Sequence, residues 1–147
     1  MRILIFLCIL PLCDCFAISG HPVEVVGILR CNVKPAANVD IMLVEKEASS
    51  KFRFLALSKS RRQGSFKISG HATDTTQTQL VIYHRCNYHE IGYKRLTIAI
   101  PQYRVLKFKG ASKNVFSARV LELAEEHNGQ KIVAGLPEII IARNHGG

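Results

Sequence analysis

The chain has 147 residues, with 20 Lys+Arg against 11 Asp+Glu for a formal net charge of +9, five Cys, no Trp and 48% hydrophobic residues. This describes one globular domain and excludes collagen, a long coiled coil and outright disorder. So basic a chain is drawn to anionic lipid, sulfated glycan, acidic protein or nucleic acid.

At the N-terminus, Met1 and Arg2 precede an apolar run from Ile3 to Leu12, followed by Cys13, Asp14, Cys15, Phe16 and Ala17. One basic residue, an apolar segment too short to span a bilayer, and small residues at Ala17, Ser19 and Gly20 predict a secretory signal peptide over residues 1–19. Asp14 and the Ser19-Gly20 pair interrupt the run and argue against a membrane anchor. Removing the signal takes Cys8, Cys13 and Cys15 with it and leaves Cys31 and Cys86. An even pair in a secreted chain is most simply a disulfide, and closing a loop of that length stabilises by about 4 kcal/mol in the chain-entropy model. Arg2 and Asp14 cancel, so the mature chain keeps its +9 charge, and secretion makes nucleic acid the least expected partner.

From Val23 onward, apolar residues recur with period two, an all-β pattern. Val23, Val25, Gly27, Leu29 and Cys31 share one face of a first strand, and Glu24, Val26, Ile28 and Arg30 the other. After the turn material Lys34 to Asn38, a strand over Val39 to Lys46 places Val39, Ile41 and Leu43 together. Lys51 to Leu57 is a possible third strand, and Gly64 to Gly70 a short one with Phe66 and Ile68 on one side. Leu80, Ile82, His84 and Cys86 align on one face, Tyr93 to Ile100 is ended by Pro101, and Val115 to Leu123 forms the last. Seven strands at this spacing, with room for an eighth, predict an antiparallel Greek-key β-sandwich over residues 20–124. The phases of Cys31 and Cys86 point both sulfurs to the same interior. The tail over residues 125–147 is open between an edge strand, a partner-binding segment and a flexible extension, and its apolar runs at Lys131 to Ala134 and Glu138 to Ile141 argue against full disorder.

Several blocks in fixed order resemble the nematode transthyretin-like family. They are Val25-Val26-Gly27-Ile28-Leu29-Arg30-Cys31, Lys34-Pro35-Ala36 with Asn38-Val39, Gly64-Ser65-Phe66 with Ser69-Gly70, Leu80 to Cys86 reading Leu-Val-Ile-Tyr-His-Arg-Cys, and Ile100-Pro101 with Tyr103. The resemblance runs from about Val23 to Leu123. It implies a secreted, prealbumin-like sandwich with one disulfide, and roles in ligand carriage or cell-surface recognition, but no defined biochemistry. Family members often carry acidic residues in the loop before the Gly-Ser-Phe strand, where this chain is basic; the tail after Leu123 matches no family pattern.

No catalytic signature appears. The purine-pathway hydrolase that shares the prealbumin-like fold ends in Tyr-Arg-Gly-Ser, whereas this chain reads Arg143-Asn144-His145-Gly146-Gly147. His84, Cys86 and His89 have an H-x-C-x-x-H spacing that suits zinc, but a disulfide-bonded Cys86 is no thiolate ligand and no further ligand pair accompanies it. There is no Gly-x-Ser-x-Gly elbow, and the glycines read as turn and strand ends rather than a phosphate loop. No metal and no cofactor is expected. The paired Arg61-Arg62 reads as a solvated basic loop rather than a processing site. The basic residues Lys51, Arg53, Lys59, Arg61 and Arg62, interleaved with Phe52 and Phe54, and a second set including Lys107 and Lys109, are the candidate ligand-binding residues. Cations beside aromatics suit an anionic membrane interface. The expected function is a secreted, non-enzymatic protein that recognises an extracellular surface, anionic lipid or receptor protein; the alternative is a carrier of a small hydrophobic ligand.

Overall fold

The computed structural model describes residues 20–48, 50–100, 105–106 and 114–146. The predicted signal peptide, Lys107 and Lys109 lie outside them. The elements in chain order are β1 (His21–Cys31), β2 (Lys34–Pro35), β3 (Asp40–Lys46), β4 (Phe52–Lys59), β5 (Ser65–Ala72), β6 (Thr78–His84), β7 (Tyr93–Ala99), β8 (Val105–Leu106), β9 (Asn114–Glu122), β10 (Gln130–Val133) and α1 (Glu138–His145). Each of the seven predicted strands is present.

The strands form two sheets. In the first, the order is β2-β1-β9-β8, with β5 also paired to β1; in the second it is β10-β7-β6-β3-β4. Alternation buries one side chain in two between them. Val23, Val25 and Leu29 of β1 meet Ile41 and Leu43 of β3, Leu80 and Ile82 of β6, Leu96 of β7 and Phe116 of β9 in the central core. Fully burying a side chain of this kind contributes roughly 1.5–3 kcal/mol, which is what offsets the ordering of so much extended backbone.

The pairing is antiparallel with one exception among the described strands: β1 and β9 run parallel, from Val23↔Asn114 to Arg30↔Glu122. A parallel neighbour is reached by a crossover rather than a hairpin, and β9 enters the first sheet after β7 has left the second.

The second sheet is apolar on its outer face too. Val44, Val81 and Tyr83 are buried there in a second cluster, with Met42, Leu57, Tyr93, Val133 and Leu136 partly buried around them. The tail supplies the cover. β10 pairs with β7, and α1 places Ile140, fully buried, in this cluster. Gly92 makes the first contact feasible: at φ 104° it takes a conformation that favours glycine, and a Cβ there would collide with the Val133 carbonyl oxygen.

Candidate functional site: the disulfide end

Cys31 closes β1 and Cys86 follows β6. Their disulfide, with Cα atoms 5.7 Å apart, ties the end of the first sheet to the loop leaving the second. Around it the backbone is held in an unusual way. Asn32 and Val33 form a two-residue connection between β1 and β2, and both have positive φ, 53° and 69°. That is the backbone of a type I′ turn, which ordinarily takes Asn-Gly. Valine is poorly suited to it, because its branched Cβ crowds the left-handed region.

The turn is held from three sides. The Glu122 carboxylate, at the end of β9, accepts the N–H groups of Asn32 and Val33, each at 2.9 Å, and that of Ala124 at 2.9 Å. The Ala124 and Val33 N–H groups hold its pKa below the ordinary glutamate value, assisted by the Asn32 N–H and the Arg30 charge and outweighing burial. The side chains of Asn32 and Asn87 exchange amide hydrogen bonds of 2.7 and 3.1 Å. The disulfide completes the frame. What the frame presents is the Val33 side chain, 76% exposed.

The loop after Cys86 has a similar construction. Arg85 donates to the Glu90 carbonyl at 2.8 Å and lies over the Tyr93 ring, 5.6 Å from its centroid. The Tyr88 hydroxyl donates to the Ile91 carbonyl at 3.0 Å, and Ile91 is 91% exposed. Two aliphatic side chains thus stand in solvent on loops that the disulfide and the amide pair bind together.

Arg61 and Arg62 arrive at this same end. They sit in the turn between β4 and β5, closed by Arg61 N–H to Ser65 carbonyl and Gly64 N–H to Arg61 carbonyl, both 2.8 Å. Leu29 N–H reaches the Gly64 carbonyl at 2.8 Å and Ala36 N–H the Leu29 carbonyl at 2.9 Å, so the turn packs beside the β1–β2 hairpin. Gly64 is required there, because a Cβ would meet the Leu29 carbonyl oxygen. Both arginines are exposed, and among the described residues neither lies in an ion pair. The hairpin adds exposed Arg30 and Lys34, neither of which had been singled out in the sequence.

The other described candidate cations differ from this group by distance or by pairing. Arg53 is held by the buried Glu45 carboxylate, by Thr73 at 2.8 Å and by Glu47 at 3.9 Å. Glu45 also accepts the Asp74 and Thr73 N–H groups at 2.6 and 3.2 Å; against the opposing effect of burial, these bonds and Arg53 lower its pKa. Lys59 pairs with Asp40 at 3.7 Å. Lys51 precedes β4, so Arg53 and Lys51 lie roughly 26 and 33 Å along that strand from Arg61, at about 3.3 Å per residue. Phe52 and Phe54 are 56% and 41% exposed rather than core.

The H-x-C-x-x-H residues do not assemble a metal site. Cys86 is in the disulfide, and buried His84 accepts the Cys86 N–H on Nδ1 at 3.1 Å. A neutral ring accepting there carries its proton on Nε2, which is buried and has no hydrogen-bond partner. Burial drives the His84 pKa down to about 4, with the nearby Lys94 and His127 acting the same way and Gln130 opposing. Among the described residues, no helix is long and apolar enough to cross a membrane.

Comparison with known proteins gives the wider setting. The family model for TTR-52, transthyretin-like family, matches residues 26–101, just over half of the chain. Transthyretin-like protein 5 of Caenorhabditis elegans is 32% identical over 139 residues, covering 88% of this chain and 96% of that protein. Transthyretin-like protein 16 of the same organism is 33% identical over 91 residues, 59% of this chain and 68% of its own. Among solved structures, a 9R-lipoxygenase from Cyanothece PCC8801 aligns at 13% identity over 69% of this chain and 16% of its own, with a TM-score of 0.43 too low to bear on fold or function. On the family match and the near full-length relative, the chain belongs to the transthyretin-like family.

Proposed function

We propose that the protein is a secreted, non-enzymatic binding protein that recognises an anionic extracellular surface, such as a membrane carrying acidic lipid, through its disulfide end. The observation that carries this reading is that exposed Arg61 and Arg62, which lie in no ion pair among the described residues, sit in a turn packed beside the hairpin that carries exposed Lys34 and the solvent-directed Val33. Cations near an anionic leaflet contribute about 1 kcal/mol each, and Val33, if its side chain enters the boundary region, adds about 1.5 kcal/mol or more. A rigid frame helps, because loops already ordered lose little entropy on binding. The disulfide and the family membership are in keeping with an extracellular location.

The test is flotation of the oxidised mature chain with vesicles, with and without acidic lipid, at low and physiological salt. Binding should need acidic lipid, fade with salt and be lost in R61E/R62E. Equal binding to neutral vesicles, or an unaffected R61E/R62E variant, would contradict the proposal. A carrier of a small hydrophobic ligand is the second reading, favoured by a groove on the outer face of the second sheet whose apolar part is lined by Met42, Val44, Phe52 and Val81.

A further inference from the structure

We infer that the outer face of the second sheet holds a site for a small organic anion with an apolar body, of the aryl or short branched carboxylate class; the inference rests on the carrier reading and names its ligand. The groove there is about 150 Å³, the size of a cavity that accepts benzene. Its walls are Met42, Val44, Phe52, Val81 and Thr97; Gln79 lines it beside Val44, and the charged end is formed by Tyr83 and Arg95.

The polar end shows an electrostatic imbalance. Strand register sets Lys59, Asp40, Tyr83, Arg95 and Lys131 in one row across five strands, through the pairs Asp40↔Lys59, Asp40↔Tyr83, Tyr83↔Arg95 and Lys131↔Arg95. Residues directly paired in an antiparallel ladder share a face. Asp40, the row's one carboxylate, faces Lys59 at 3.7 Å as an ion pair, its buried Oδ1 having no hydrogen-bond partner. Arg95 and Lys131 are left directly opposite each other, a like-charge pairing that destabilises a sheet, and no carboxylate among the described residues forms an ion pair with either. Arg95 is half-buried and its guanidinium hydrogen-bonds the Tyr83 hydroxyl, but its Nε is buried and has no hydrogen-bond partner. A buried guanidinium donor without an acceptor is costly. A carboxylate seated against Arg95, with Lys131 at the rim, would satisfy the donor and separate the like charges. Tyr83 supports this role. Burial raises its pKa against the opposing pull of Arg95, so it remains a neutral hydroxyl beside the anion.

The size and the charge select the same ligand class. A single ring or a branched chain of similar bulk fills the apolar part, and its carboxylate reaches Arg95. A lipid acyl chain is too long for this volume, which separates the site from the vesicle-binding surface at the disulfide end.

The test uses phenylacetate and its neutral isostere phenylacetamide, titrated into the oxidised mature chain while the Met42 and Val81 methyl resonances are followed. Phenylacetate should shift both methyls saturably, and phenylacetamide should bind at least about tenfold more weakly, since a charge-assisted hydrogen bond is lost. R95Q should erase the difference between the two probes. T97F should block both, while R61E/R62E should bind phenylacetate as before. If the amide binds as well as the acid, the carrier reading stands and the anion site is overturned. If neither probe shifts these methyls in a saturable way, both are overturned. The acid-to-amide comparison is made on the unmodified chain, so the outcome does not depend on a variant folding.

Discussion

Val33 carries most of the strain at the disulfide end. A β-branched residue at φ 69° costs roughly 1–3 kcal/mol, and the Glu122, Asn32–Asn87 and disulfide contacts hold it there. V33G removes that cost and adds only about 0.4–1 kcal/mol of unfolded-chain entropy. It should therefore raise stability by about 1 kcal/mol in urea melts while weakening vesicle binding; a destabilised V33G would show that valine is comfortable in the turn. His84 makes a different statement about the same end. Its folded pKa of about 4 lies below the ordinary histidine value of 6.5, so between those values the unfolded chain binds the extra proton. Stability should rise with pH through that window, be fully present above about 6.5, and be lost progressively down to about 4. The total is on the order of 3 kcal/mol. Glu45 and Glu122, whose pKa values are lowered, act in the same direction but below the ordinary glutamate range. H84N should flatten the dependence between pH 4 and 6.5 and leave the steeper acid loss; an unchanged slope would locate the proton elsewhere.

At the scale of elements, α1 is short, lacks a side-chain N-cap and buries one residue, Ile140. Truncating such a fully buried side chain typically costs about 2–5 kcal/mol. I140A should lose stability in that range in a cooperative unfolding curve, whereas a loss near zero would mean that α1 frays independently of the sheet. This helix and β10 were the hardest parts to anticipate. Ile139-Ile140-Ile141 shows no 3.6-residue period, and β-branched runs favour strands; the buried position emerges only when the outer face of the second sheet is seen to need cover. The seven longer strands were legible because period-two alternation marks a half-buried ladder directly. The parallel sense of β9 was not, because alternation reads the same in both directions. β4 shows a finer limit. Its register against β3 slips between Leu43 and Val44, so Ala56 faces Leu43 and Phe54 faces Val44. This bulge at Leu55 turns Phe52 and Phe54 to the outer face, a reversal that a strand sequence does not announce. The site was legible in part for similar reasons. Arg61 and Arg62 could be read as a solvated loop, but the carboxylates that neutralise Arg53 and Lys59 come from β3 through that same register, and the Asn32-Val33 turn lacks the glycine that usually reveals it.

On the scale of the whole molecule, two surfaces stand out. One is the disulfide end, where Arg30, Lys34 and Val33 of the hairpin and Arg61 and Arg62 of the adjoining turn are all exposed; the other is the outer groove, where the buried Nε of Arg95 has no hydrogen-bond partner. The disulfide, whose cysteines are 55 residues apart, links the two sheets at this end, so the same bond that limits the unfolded chain also holds the proposed contact surface together. Charges on such a surface act over about 10 Å at 0.1 M salt. The decisive measurement is therefore vesicle flotation of the oxidised chain beside R61E/R62E, with acidic lipid present or absent, across a salt series. The prediction is binding that requires acidic lipid, weakens steadily with salt and disappears in the double variant. Binding that ignores lipid charge, or a double variant that floats like the unmodified chain, would contradict recognition of an anionic surface through the disulfide end.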